Sequence, residues 1–103
     1  MEKLIELLNE YEKDGLNEFE KYTERWYCER TYQILSGKWE NNNELKPCEI
    51  ISKSYWFIQW LVENEKIDLD EFSIIDWFDD YESLLMRLAI DDEPLEFLAS
   101  ILK

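Results

Sequence analysis

No histidine occurs among the 103 residues, which include only two glycines, two prolines and two cysteines. Each shortage closes a class of function. Without histidine the chain lacks the side chain that most often moves protons near neutrality, activates a catalytic thiol or holds zinc. Two glycines cannot form a glycine-rich loop around phosphate. Cys28 and Cys48 cannot supply a structural zinc set, and both are expected to be reduced, packed thiols. The first residues, MEKLIELLNEYEKD, mix charge with apolar residues and contain no signal-peptide core, so a cytoplasmic location is the expectation. No apolar run approaches the ~18 residues of a spanning helix. Paired carboxylates exist, but in a chain with 25 acids their proximity says nothing about glycoside chemistry. Neither enzymatic activity nor a cofactor is expected.

Positive charge is also scarce. Eleven Lys and Arg stand against 25 Asp and Glu, a net charge of -14, and the basic residues form no run. Direct contact with nucleic acid or anionic membrane is therefore excluded, because both need clustered cations. A protein with a basic surface is the favoured partner, since opposite fields speed encounter and reject wrong partners.

What the chain does have is apolar side chain. At 46% hydrophobic and 16% aromatic residues, it is no acidic disordered tail. One domain spanning residues 1–103 is expected. The periodicity predicts an all-α bundle of about five helices. Leu4, Leu7, Leu8 and Tyr11 recur at helical spacing, with Gly15 as the stop. A second helix is predicted from Leu16 to Ser36, with Phe19, Tyr22, Trp26, Ile34 and Leu35 near one face and Gly37 ending it. A loop follows around Asn41-Asn42-Asn43. Pro47 opens a third helix, Cys48 to Asn64, in which residues 54, 57, 58 and 61 mark one face and Trp56 and Trp60 a neighbouring one. Residues 66–79 read as irregular with a short helical turn. Tyr81 to Ile90 form the next helix, with Leu84, Leu85, Leu88 and Ala89 inward. Asp91-Asp92-Glu93-Pro94 has the chemistry of a helix start, leading to Leu95, Leu98, Ile101 and Leu102.

The acid is unevenly placed: residues 66–103 carry a net charge of -8 against -6 for the longer first part. From Asp68 to Glu82 there are seven carboxylates and no cation, interleaved with aromatics. The candidate partner-binding residues are Asp68, Asp70, Glu71, Asp76, Trp77, Asp79, Asp80, Tyr81 and Glu82. In such a surface charge steers and rings anchor. The plainer alternative turns the rings to the core and the acids to water. A calcium loop opening at Asp68 fails, since the pattern's oxygen ligand, glycine and final glutamate are here Phe72, Ser73 and Asp79. No metal site is expected.

Two stretches, Glu49-Ile50-Ile51-Ser52-Lys53-Ser54-Tyr55-Trp56-Phe57-Ile58-Gln59-Trp60-Leu61-Val62-Glu63-Asn64 and Leu84 to Leu98, resemble small acidic proteins of bacteriophages and prophages of low-GC bacteria. That group has no assigned activity to transfer. The resemblance covers about half the chain and implies that these stretches are scaffold and the segment between them the working surface. In class, though not in motif, such proteins are similar to anti-CRISPR inhibitors of host defence. The expected function is thus a non-enzymatic inhibitor of a host nucleic-acid-handling defence enzyme, such as a CRISPR nuclease. An immunity or antitoxin-like protein neutralising a basic toxin is one alternative. A structural oligomerisation module built on Trp56 and Trp60 is another.

Overall fold

Helices follow one another along the chain as its apolar spacing dictates. The computed structural model describes residues 2–17, 21–39, 44–68 and 80–103, with 80 and 81 described by backbone alone. Among them are six α-helices: α1 (Glu2–Glu10), α2 (Lys21–Leu35), α3 (Pro47–Lys53), α4 (Tyr55–Glu63), α5 (Asp80–Ile90) and α6 (Pro94–Ser100). The fold is an all-α, single-domain bundle. The irregular segment expected near residues 66–79 lies outside the described residues beyond Asp68.

The first apolar stripe behaves as its spacing predicts, with Leu4, Leu7, Leu8 and Tyr11 all buried. Its end differs. Regular α-helix stops at Glu10, and Tyr11–Gly15 continue in a wider π-type turn. Gly15 is required there for space: a Cβ on it would overlap the Tyr11 ring and press on Trp60 Nε1.

The predicted third helix is broken in two at Ser54, whose ψ of 48° leaves the helical range. Its buried hydroxyl donates back to the Ile50 carbonyl at 2.9 Å, which closes α3, and the Ser54 side chain makes no capping bond to the first turn of α4. The apolar face read from the sequence survives the break: Ser54, Phe57, Ile58 and Leu61 are all buried. The short α3 lies centrally, packed against α2, α5 and α6, while α4 packs against α2, α5 and the π-type turn. In α5, Leu84 and Leu88 are buried and Leu85 is half-buried, but Ala89 faces solvent rather than the core. The last helix ends at Ser100. Ile67 pairs antiparallel with Leu102 in an isolated bridge, and the Asp68 N–H donates to the Ile101 carbonyl at 2.7 Å. The C-terminal residues are thereby tied to the chain just after α4.

Two helices end in the same six-residue arrangement. After α2, Gly37 takes φ 77°, its N–H donates to the Ile34 carbonyl and the Lys38 N–H to the Gln33 carbonyl. After α4, the Glu65 N–H donates to the Val62 carbonyl and the Lys66 N–H to the Leu61 carbonyl, with φ 55° at Glu65. Both are Schellman caps, and the left-handed position suits glycine. Glu65 occupies it with a side chain. Glu65→Gly is therefore expected to stabilise the fold by about 0.5–1 kcal/mol, read as a higher urea midpoint with an unchanged slope.

Candidate partner-binding surfaces

Of the nine residues singled out from the sequence, the structure places few side chains. Asp68 is half-buried beside the chain end, and Glu82 is exposed on α5. Asp80 and Tyr81 lie in the first turn of α5. Asp70, Glu71, Asp76, Trp77 and Asp79 lie outside the described residues. The two flanks of the acidic segment are thus located, and nothing more of it.

A second acidic surface, read from the sequence only as a helix start, forms at the turn between α5 and α6. Pro94 does sit in the first turn of α6, but Glu93, the capping residue, makes no side-chain capping bond. Asp91 organises the turn instead. Its Oδ1 accepts from the Glu93 N–H at 2.8 Å and its Oδ2 from Arg87 Nε at 2.9 Å. These two bonds hold its carboxyl below the usual range. Arg87 is held a second time by the Phe97 ring, 4.5 Å from its guanidinium carbon. Glu93 is pushed the other way, upward, first by a hydrogen bond shared with Glu96 and then by the neighbouring carboxylates.

Two grooves meet at this turn. One, of about 560 Å³, is lined by Arg87, Ile90, Asp91, Asp92 and Glu93. The other, of about 540 Å³, runs from Glu44 and Lys46 ahead of α3 and Glu49 in its first turn to Ala89, Ile90, Asp91 and Asp92. Ile90, shared by both, is 70% exposed. The result is a concave, mainly acidic surface with an aliphatic side chain at its centre. Chemically it suits Lys or Arg side chains whose stems lie on Ile90.

On α2 the structure reverses the expected face. Tyr22 is 92% exposed and Trp26 37%, while Glu24, Cys28 and Thr31 turn inward. Phe19 lies outside the described residues, and Ile34 and Leu35 are half-buried against the core. The reason is tertiary: the Glu24 carboxylate, 1% exposed, accepts the Phe57 N–H at 3.1 Å and supplies the cap that Ser54 withholds from α4. Burial, and then the nearby Glu24, push the Cys28 thiol far up, so it stays protonated and inert. Both cysteines are free. On the outer side, Arg30 lies over Trp26 at 5.3 Å and Trp39 at 5.6 Å, with Nη1 donating to Gln33 at 2.8 Å. Arg25 pairs with Glu12 across the helices at 3.5 Å.

The two tryptophans of α4 part company. Trp60 is half-buried against Tyr11 and Phe57, whereas Trp56 is exposed and meets the Tyr55 ring edge-on at 5.0 Å. Among the described residues there is no cluster of metal-ligating side chains, and no helix is long and apolar enough to cross a membrane. Compared with family models, curated proteins and solved structures, the chain matches none.

Proposed function

We propose that this chain is a non-enzymatic binding protein that inhibits a nucleic-acid-handling defence enzyme of a bacterial host by occupying its basic surface. The observation that carries this reading is the acidic trough around Ile90, on a folded scaffold with a net charge of -14. A basic groove built for phosphates meets carboxylates at Glu44, Asp92 and Glu93, while Ile90 supplies the apolar contact that distinguishes docking from loose attraction. The acidic segment from Asp68 to Glu82 extends the same chemistry along the sequence.

The test is capture of the partner from host lysate, followed by competition against DNA or RNA at several salt concentrations. The chain is expected to displace the nucleic acid and to bind less tightly as salt rises. Glu44→Lys/Asp92→Lys/Glu93→Lys is expected to weaken binding by at least about tenfold, because several opposed charges are reversed at one contact. A parallel Asp76→Lys/Asp79→Lys/Asp80→Lys variant asks the same of the acidic segment. Salt-insensitive binding that survives both changes would sink the proposal.

A further inference from the structure

We infer that the outward face of α2 is where two copies of this chain meet, in an antiparallel pair about a two-fold axis. Tyr22, Arg25, Trp26, Glu29 and Gln33 fall on the side of α2 opposite buried Glu24, Cys28 and Thr31, as helical spacing requires. Arg30 flanks them. Trp, Tyr and Arg are the residues that dominate interface energies, and here Tyr22 is 92% exposed and Trp26, packed on Tyr27 and Arg30, still shows 37% of its surface.

The charge on this face selects a second copy as the occupant. On the helix itself Lys21, Arg25 and Arg30 stand beside one exposed carboxylate, Glu29, because Glu24 points inward, and Glu12 of the π-type turn reaches Arg25 at the edge of the face. Among the described helices α2 carries the most cations. The net charge of -14 repels nucleic acid. Two copies that must associate despite that charge meet with least repulsion on this face. The face is also self-complementary. Arg25 and Glu29 lie one turn apart, so a two-fold axis at the level of Tyr27 sets Arg25 of each copy against Glu29 of the other. Trp26 then packs beside the axis, and Tyr22 lies toward Tyr32 of the second copy. A 15-residue helix is about 22 Å long, which makes this a small interface at the weak end of protein–protein contacts.

The salt response separates this pairing from the proposed inhibition, on which it does not depend. Screening relieves repulsion between two bodies of -14, whereas two exposed ion pairs contribute little. Self-association therefore tightens with salt, while binding to a basic partner loosens.

Sedimentation equilibrium on the full chain, from micromolar to millimolar concentration and at low and moderate salt, tests the inference. The expected result is a 12.7 kDa monomer in equilibrium with its dimer, tighter at higher salt. Trp26→Ala should weaken the dimer by at least about tenfold. Arg25→Glu alone and Glu29→Arg alone should each dimerise more weakly than the native chain at low salt, because each sets like charges together. Mixed in equal amounts, they should form a heterodimer, because both cross-pairs become opposite. Circular dichroism confirms folding of each variant. Should Arg25→Glu unfold through its closeness to Glu12, the Trp26→Ala comparison decides. A monomer under all conditions would overturn the inference. So would a dimer that loosens with salt, or one indifferent to both Trp26→Ala and mixing.

Discussion

Tyr11→Ala is expected to cost about 3–5 kcal/mol, the range of a fully buried aromatic side chain. Tyr11 is buried where α1 passes into its π-type turn. Its ring lies 5.3 Å from Phe57 and 5.5 Å from Trp60, centroid to centroid, both tilted. Phe57 and Trp60 in turn stack at 6.4 Å. Removing Tyr11 leaves a void bounded by rings that cannot all collapse inward, so both the transfer and the cavity terms apply. A domain of this size has about 5–15 kcal/mol in total, so the variant should retain a fraction of its stability and melt many degrees lower. Gly15 gives the control. Gly15→Ala in the native background forces the Tyr11 ring against Trp60 and should cost about 1–3 kcal/mol. In the Tyr11→Ala background the added methyl enters vacated space, and the cost should nearly vanish. Urea titrations of the four proteins measure this coupling. Additive losses would mean that Gly15 serves the turn alone and not the ring.

Glu24→Ala is expected to cost about 2–4 kcal/mol, from an orphaned N–H, a lost charge–dipole contact and a cavity. The Phe57 N–H at the third position of α4 would lose its acceptor inside the core, and Ser54 cannot replace it while its hydroxyl is bound to Ile50. Glu24→Gln keeps an acceptor of the same reach and should recover part of the loss. The ordering native, Gln, Ala in denaturant midpoint tests the assignment. Equal losses for Gln and Ala would show that the negative charge, rather than the hydrogen bond, is what α4 requires. A neutral Glu24→Ala would remove the capping role altogether.

These two residues mark the range of what was legible. Tyr11 was readable because it continues the Leu4, Leu7, Leu8 stripe, and a single helix seen in isolation shows its own apolar face. The face through residues 54, 57, 58 and 61 was readable for the same reason. Glu24 was not, since a glutamate between Thr23 and Arg25 looks like any solvated helix position. Only the break at Ser54, on another helix, creates a donor that needs it. The break itself has no breaker residue to announce it, because a serine tolerates helix and differs only in where its hydroxyl bonds. The same coupling misdirected the reading of α2: Tyr22 and Trp26 are apolar enough to claim the core, but a helix has one inward side and Glu24, Cys28 and Thr31 occupy it. The second groove beside Ile90 escaped notice because its walls come from the start of α3 and the end of α5, far apart in sequence.

By itself the sequence determined the helical class, the inward stripes of α1 and α4, the caps at Gly37 and Pro47, and the net charge of -14. Those properties depend on residues within a few turns of one another and on summed charge, which need no knowledge of packing. Tertiary structure alone decided which side of α2 faces water, where the third helix divides and which carboxylates share a groove. Each of these depends on a donor, an acceptor or a wall supplied by a distant part of the chain.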